Sequence, residues 1–267
     1  MAADTPIPII PEKFWASEKN KVMIQLLLRD TVYNYKYSDK SMIMSSMIHE
    51  YEVLPAKLCT GEEIPELNNW IEEADSKVIV HVKYAVHVQK CPRVIVLSND
   101  TDTFILLLYY TPYIKELGLK ELWLQYGTGE NRHMIPLHEA HTSMGTGLSK
   151  SILKAYILTG NDCLSKVGTK HAAMTCNPVQ YLTNFGEEAV LSEQDIALAE
   201  RFLVHVWAGV RSNTMAETFD QLRLENFVNG SSLDSLPPTS SAIRGHLHRG
   251  AFLIKQACNL LKKKRCR

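Results

Sequence analysis

The chain has 267 residues, 45% of them hydrophobic and 22% charged, and its 29 basic and 29 acidic side chains leave no formal net charge. That balance excludes attraction to nucleic acid or an anionic membrane through bulk charge, while leaving room for a local basic strip. No apolar run approaches the roughly 18–20 residues that cross a bilayer, and the start MAADTPIPIIPEKFW lacks the basic and long apolar regions of a secretory signal. An intracellular protein, nuclear or cytoplasmic, with no membrane partner is therefore expected. The cysteines Cys59, Cys91, Cys163, Cys176, Cys258 and Cys266 form no C-x-x-C pair, so reduced thiols are expected in place of a disulfide framework or a zinc knuckle.

In chain order, residues 1–16 carry several prolines and read as an extended arm. Val22, Met23, Leu26 and Leu27 recur at helical spacing within residues 17–29. Residues 41–54 mix Met, Ile, Tyr and Val in a way that suits strand. Pro65 precedes a predicted helix with an apolar face of Ile71, Ala74, Val78, Val82 and Ala85. The run RVIVLS (93–98) is too short for a globular helix and reads as a central strand buried on both faces, with Val94, Ile95 and Val96 in the core.

Residues 101–110 read as helix and ELWLQY (121–126) as strand. A tight GTGENR turn, a short strand, and helices over 137–144 and 149–158 follow. Beyond Ser192 the pattern is helical, with a polar, proline-bearing linker at 231–241 before a last helix ending in KKKRCR. Alternating strands and helices predict an α/β layer with a mainly parallel sheet. The expected organisation is an arm over 1–16, an α/β core over 17–190 and a helical extension over 191–267.

Three acidic motifs fall at the ends of predicted elements: Glu72-Glu73-Ala74-Asp75, Ser98-Asn99-Asp100-Thr101-Asp102 and Leu158-Thr159-Gly160-Asn161-Asp162. In an open α/β sheet, ligands gather at the carboxyl ends of strands, which is where Asp100 and Asp102 fall. Magnesium takes oxygen ligands and keeps several waters, and paired ions can clamp a phosphodiester while activating water. Taken singly, each motif has a plainer explanation: D-x-D as a helix cap with a first-turn acid, EEAD as a solvated helix face, and Gly-Asn-Asp as a turn.

The linked order E-A-D, strand, D-x-D, L-x-G-x-D over residues 70–170 resembles the flap endonucleases and the 5′-nuclease domains of bacterial DNA polymerases. That resemblance implies a PIN-like fold holding Mg²⁺ or Mn²⁺ through Glu73, Asp75, Asp100, Asp102 and Asp162, the residues it would make catalytic. Ser165-Lys166-Val167-Gly168-Thr169-Lys170 resembles a helix–hairpin–helix turn that grips nucleic-acid backbone, so Lys166 and Lys170 become candidates for phosphate contact; Arg132, in the separate GTGENR turn, is a further candidate. Over most of its length the chain is also similar to transposon-associated animal proteins that share EEAD, S-x-DTD, GTG-x-NR, IP-x-HE and LTG-x-D; here these are IEEAD, SNDTD, GTGENR, IPLHE and LTGND.

Two departures stand against the nuclease pattern. No apolar strand bearing a first aspartate precedes Trp70, since Asp30 and Asp39 lack one, and Ser76 stands where the bacterial version has an acid. Other chemistries find less support. His138-Glu139-Ala140-His141 sets its histidines three apart, whereas the helical zinc-protease motif needs four. GTGENR lacks the Lys-Ser/Thr ending of a phosphate loop and reads as a hairpin turn. His246 and His248 read as solvated or phosphate-adjacent, and KKKR at 262–265 as a nucleic-acid tail, a nuclear address or a solvated helix end. The leading expectation is metal-dependent phosphodiester hydrolysis of DNA or RNA. The alternative is a non-catalytic, transposon-derived remnant that binds nucleic acid or a protein partner.

Overall fold

The computed structural model describes residues 11–34, 41–188, 190–209 and 212–261. Most of the expected arm, Asp39 and the KKKR run lie outside them. The chain divides into two compact units, Met1–Lys77 and Val78–Arg267, and no helix among the described residues is long and apolar enough to cross a membrane.

Among the described residues, the first unit holds helices α1 (Pro11–Trp15) and α2 (Glu18–Asn34) and four short strands: β1 (Ile43–Met44), β2 (Met47–His49), β3 (Glu52–Leu54) and β4 (Lys57–Leu58). β1 pairs with β4 and β2 with β3, both antiparallel. The single strand expected over 41–54 is thus broken, because Glu50 and Tyr51 both turn through positive φ to close the β2–β3 hairpin. Arg29 is buried, and its guanidinium donates to the carbonyls of Ser45 and Pro55, so the charge brought inside keeps hydrogen-bond partners.

The helix expected from Pro65 starts later. Pro65–Leu67 forms one 3₁₀ turn, and α3 runs over Ala74–His87. Asparagine side chains account for the delay. Asn68 Oδ1 accepts from the Ala56 N–H at 2.7 Å, and Asn69 Oδ1 accepts from the Ile71 N–H at 3.0 Å. The second is a local bond that offers the backbone an alternative to a helical ladder, and the first ties Asn68 back to the segment after β3.

In the second unit, β5 (Arg93–Leu97) leads into α4 (Thr101–Glu116), then β6 (Glu121–Tyr126), β7 (His133–Pro136) and α5 (Leu137–Leu158). The short helices α6 (Lys170–Thr175) and α7 (Pro178–Leu182) come next, followed by α8 (Glu193–Ala208), α9 (Phe219–Val228) and α10 (Ser240–Cys258). The α/β class is as expected. The sheet, however, is a small mixed one of order β5-β6-β7, with β5–β6 parallel and β6–β7 antiparallel.

The expected central position of RVIVLS is corrected: β5 lies at the sheet edge, with Val96 buried but Ile95 51% and Leu97 70% exposed. A β-branched run satisfies strand preference equally well at an edge, so its composition does not fix how many faces are covered. The two helices expected over 137–158 meet at Gly145, whose φ of 77° and ψ of 163° break α5 after its second turn. Helices α8, α9 and α10 put Phe202, Phe219 and Leu247 into the same hydrophobic cluster as Leu122 of β6 and Leu107 of α4. Their packing is continuous with the α/β layer.

At one point α10 also seals the end of α5. His246 is buried with Nε2 2.8 Å from the Leu158 carbonyl oxygen, which corrects its expected solvated position. Gly250 lies where a Cβ would stand 2.5 Å from Leu158 Cδ2.

Candidate metal centre

Asp100 ends the turn after β5 and caps α4, its Oδ1 accepting the Asp102 N–H at 2.8 Å. A carboxylate suits that place, since it satisfies an orphan amide and meets the positive end of the helix dipole. The turn is pinned further by Ser98 Oγ, which accepts the Asp100 N–H at 3.1 Å and donates to Thr103 Oγ1 at 3.1 Å. Asn99 Oδ1 accepts the Gly127 N–H at 2.6 Å, so the β5–α4 and β6–β7 turns support each other. The GTGENR segment is a hairpin turn joining antiparallel strands, as its composition implied.

Asp102 lies one residue into the first turn of α4, half-buried, with Oδ1 accepting the Tyr156 hydroxyl proton at 2.5 Å. Asp75 lies in the first turn of α3. The division between the units falls after Lys77, inside this helix, so the continuous backbone of α3 carries Asp75. Asp75, Asp100 and Asp102 each offer a carboxylate oxygen, all within 4.8 Å of one another, close enough to hold a metal ion. No histidine or cysteine joins them among the described residues.

Behind the acids stands a pair that sequence analysis did not connect. Lys170, at the start of α6, places Nζ 3.3 Å from the ring centroid of Tyr156 and donates to the carbonyls of Tyr156 (2.6 Å) and Gly160 (2.5 Å). Burial pulls the Lys170 ammonium down to about 8, against the pull of the Asp102 charge. The Tyr156 hydroxyl is pushed well above its usual range, first by burial, then by its bond to Asp102 and the charges of Asp102, Asp100 and Asp162. Tyr156 therefore stays protonated and remains a donor to Asp102.

Of the five expected acids, the structure brings three together. Glu73 is exposed just ahead of α3, and Asp162 is exposed in the turn after α5; neither belongs to the convergent group. Lys166 and Arg132 are exposed, whereas Lys170 has turned inward onto carbonyls and an aromatic face. His138 and His141 go separate ways: His138 Nδ1 sits 3.0 Å from the Leu122 carbonyl, and His141 is buried on α5. Nothing in SILKAYILTG marks its tyrosine as more than a core residue, which is why Tyr156 escaped notice.

The glycine turn that positions Lys170 has a steric basis. Gly160 has φ of 103°, and a Cβ there would lie 2.7 Å from Lys166 Cα and 2.9 Å from the Ser165 carbonyl oxygen. At Gly168, φ is 68° and a Cβ would lie 2.6 Å from Val206 Cγ1. Only glycine lets this chain fold back so tightly against itself and α8. Comparisons of the chain with protein families, with curated proteins and with solved structures find no match.

Proposed function

We propose that this chain is a divalent-metal-dependent phosphodiesterase acting on DNA or RNA, with Mg²⁺ or Mn²⁺ held by Asp75, Asp100 and Asp102 in a PIN-like core. The observation that carries this reading is the convergence of those three carboxylates, Asp75 from one motif and Asp100 and Asp102 from the next, in the order the sequence resemblance anticipates. Three negative groups so close repel one another, and a hard cation with oxygen preference relieves that repulsion. A bound ion would lower the pKa of its water and stabilise charge on a phosphoryl oxygen. Here Asp100 and Asp102 would orient that ion, Tyr156 would hold Asp102, and the exposed Lys166 and Arg132 would meet phosphate.

One observation favours a second reading, a non-catalytic module that binds nucleic acid or protein. Asp162 and Glu73 stand outside the convergent group, which leaves three ligands where the resemblance implies five. The deciding experiment is cleavage of single-stranded, duplex and flap substrates with Mg²⁺ or Mn²⁺, comparing wild type with Asp100→Asn/Asp102→Asn. Metal-dependent cleavage lost in the variant supports the enzyme. Salt-sensitive binding without cleavage by either protein supports the module.

A further inference from the structure

The outer side of β5 is an open sheet edge with an unusual distribution of groups. The Pro92 carbonyl accepts the Lys120 and Glu121 N–H groups, and the Ser98 N–H donates to the Gln125 carbonyl. Even-numbered residues of this strand therefore turn their backbone groups toward β6, and Arg93, Ile95 and Leu97 turn theirs outward. Among the described residues, none pairs with that edge. The same three residues present their side chains on one exposed face, where Ile95 and Leu97 are apolar. Natural edge strands are usually guarded by charges along their length, and a bare apolar edge is a template for pairing.

We propose that this edge is closed by β5 of a second copy of the chain, antiparallel and related by a two-fold axis through Ile95. Register supports that occupant. About Ile95, each outward residue meets an outward residue: Ile95 faces itself, and Arg93 faces Leu97 of the second copy. All are hydrogen-bonded pairs in an antiparallel ladder. Charge supports it as well. Exposed Lys90 stands before β5 and exposed Asp100 after it, so an antiparallel partner brings the basic end of each strand toward the acidic end of the other. A parallel arrangement would set like charge beside like. The apolar groups also match, because Leu97 lies along the stem of Arg93, whose guanidinium is already held by Glu121 at 2.7 and 2.8 Å. The contact is isologous and closes on itself, giving a dimer and no fibre. The two three-stranded sheets become one continuous sheet.

Sedimentation equilibrium on the full chain tests this pairing, with melting curves to confirm folding. Wild type should be dimeric at about 100 µM, and Ile95→Lys should weaken the dimer by about tenfold or more. The Ile95 side chain is half exposed, so the core should survive the change. Lys90→Glu should weaken the dimer independently, and Lys90→Arg, which keeps the charge, should leave it intact. A wild type that stays monomeric overturns the proposal. So does a dimer indifferent to Ile95→Lys and Lys90→Glu, or one lost only with Phe227→Lys on the exposed face of α9.

Discussion

The Tyr156 hydroxyl donates to Oδ1 of Asp102 at 2.5 Å, while Oδ1 of Asp100 accepts the Asp102 backbone N–H at 2.8 Å. Each of these two acids thus has one oxygen that already accepts a hydrogen bond from the protein. Single-oxygen ligation suits the small octahedral shell of Mg²⁺, whereas Ca²⁺ readily takes carboxylates through both oxygens. Tyr156→Phe should free Asp102 Oδ1 and raise the affinity for Ca²⁺ relative to Mg²⁺. Calorimetric titration of both ions reads this ratio directly. An unchanged ratio, with both ions still binding, would show that the hydroxyl has no part in selecting the ion.

Metal binding itself should be visible in stability. An ion that binds only the native state stabilises it by about 2.7 kcal/mol at a hundredfold excess over its dissociation constant. Millimolar Mg²⁺ or Mn²⁺ should therefore raise the wild-type melting temperature. Asp100→Asn/Asp102→Asn should lose most of that increment. A wild-type melting curve indifferent to both metals would remove the basis for a metal centre.

Burial of His246 makes a prediction about acid. Its pKa is lowered from 6.5, mainly by burial, with Arg249 adding to the effect and the bond to Leu158 opposing it. The native state then binds fewer protons than the unfolded chain, so stability is fully present above pH 6.5 and is lost as pH falls below it. His141 and His205 are lowered by burial in the same sense. His246→Gln, which keeps an N–H for the Leu158 carbonyl but cannot titrate, should flatten the fall in melting temperature between about pH 6.5 and 5. An identical slope would place the acid sensitivity elsewhere.

Gly160 should tolerate substitution far less well than Gly129. Both have positive φ, but a Cβ at Gly160 meets the backbone of Ser165 and Lys166, whereas at Gly129 nothing lies within 4 Å. Gly129→Ala should cost about 1 kcal/mol, the conformational term alone. Gly160→Ala should cost roughly 2–4 kcal/mol, because fixed backbone must move as well. Chemical denaturation of the two variants gives the comparison, and equal costs would contradict the steric account.

Much of the second unit was legible because its signals are local. RVIVL, ELWLQY and the D-x-D cap are short runs whose strand or cap character depends on neighbouring residues. The break between the two halves of α5 was legible for the same reason, since it falls beside Gly145. What escaped depends on contacts distant in sequence. Ile95 could not be read as exposed, because that depends on which strands flank β5. Lys170 could not be read as a support for Tyr156, because the two meet only once Gly160 has reversed the chain. His246 read as solvated from its basic neighbours, yet it sits on the buried side of α10. The convergence of Asp75 with Asp100 and Asp102 was suggested by motif order, while the separation of Glu73 and Asp162 depends on backbone direction that spacing does not specify.

The break at Gly145 divides α5 into two stretches whose amide ladders are not continuous. Local opening of one need not propagate into the other. The later stretch carries Tyr156 and ends at Leu158, where His246 clamps it, while the earlier one follows directly from β7. A cation captured by Asp102 would pull on Tyr156 and slow amide exchange in residues 149–158, leaving residues 137–144 almost untouched. The helix would thus carry news of an occupied site toward α10 and stop it short of the sheet.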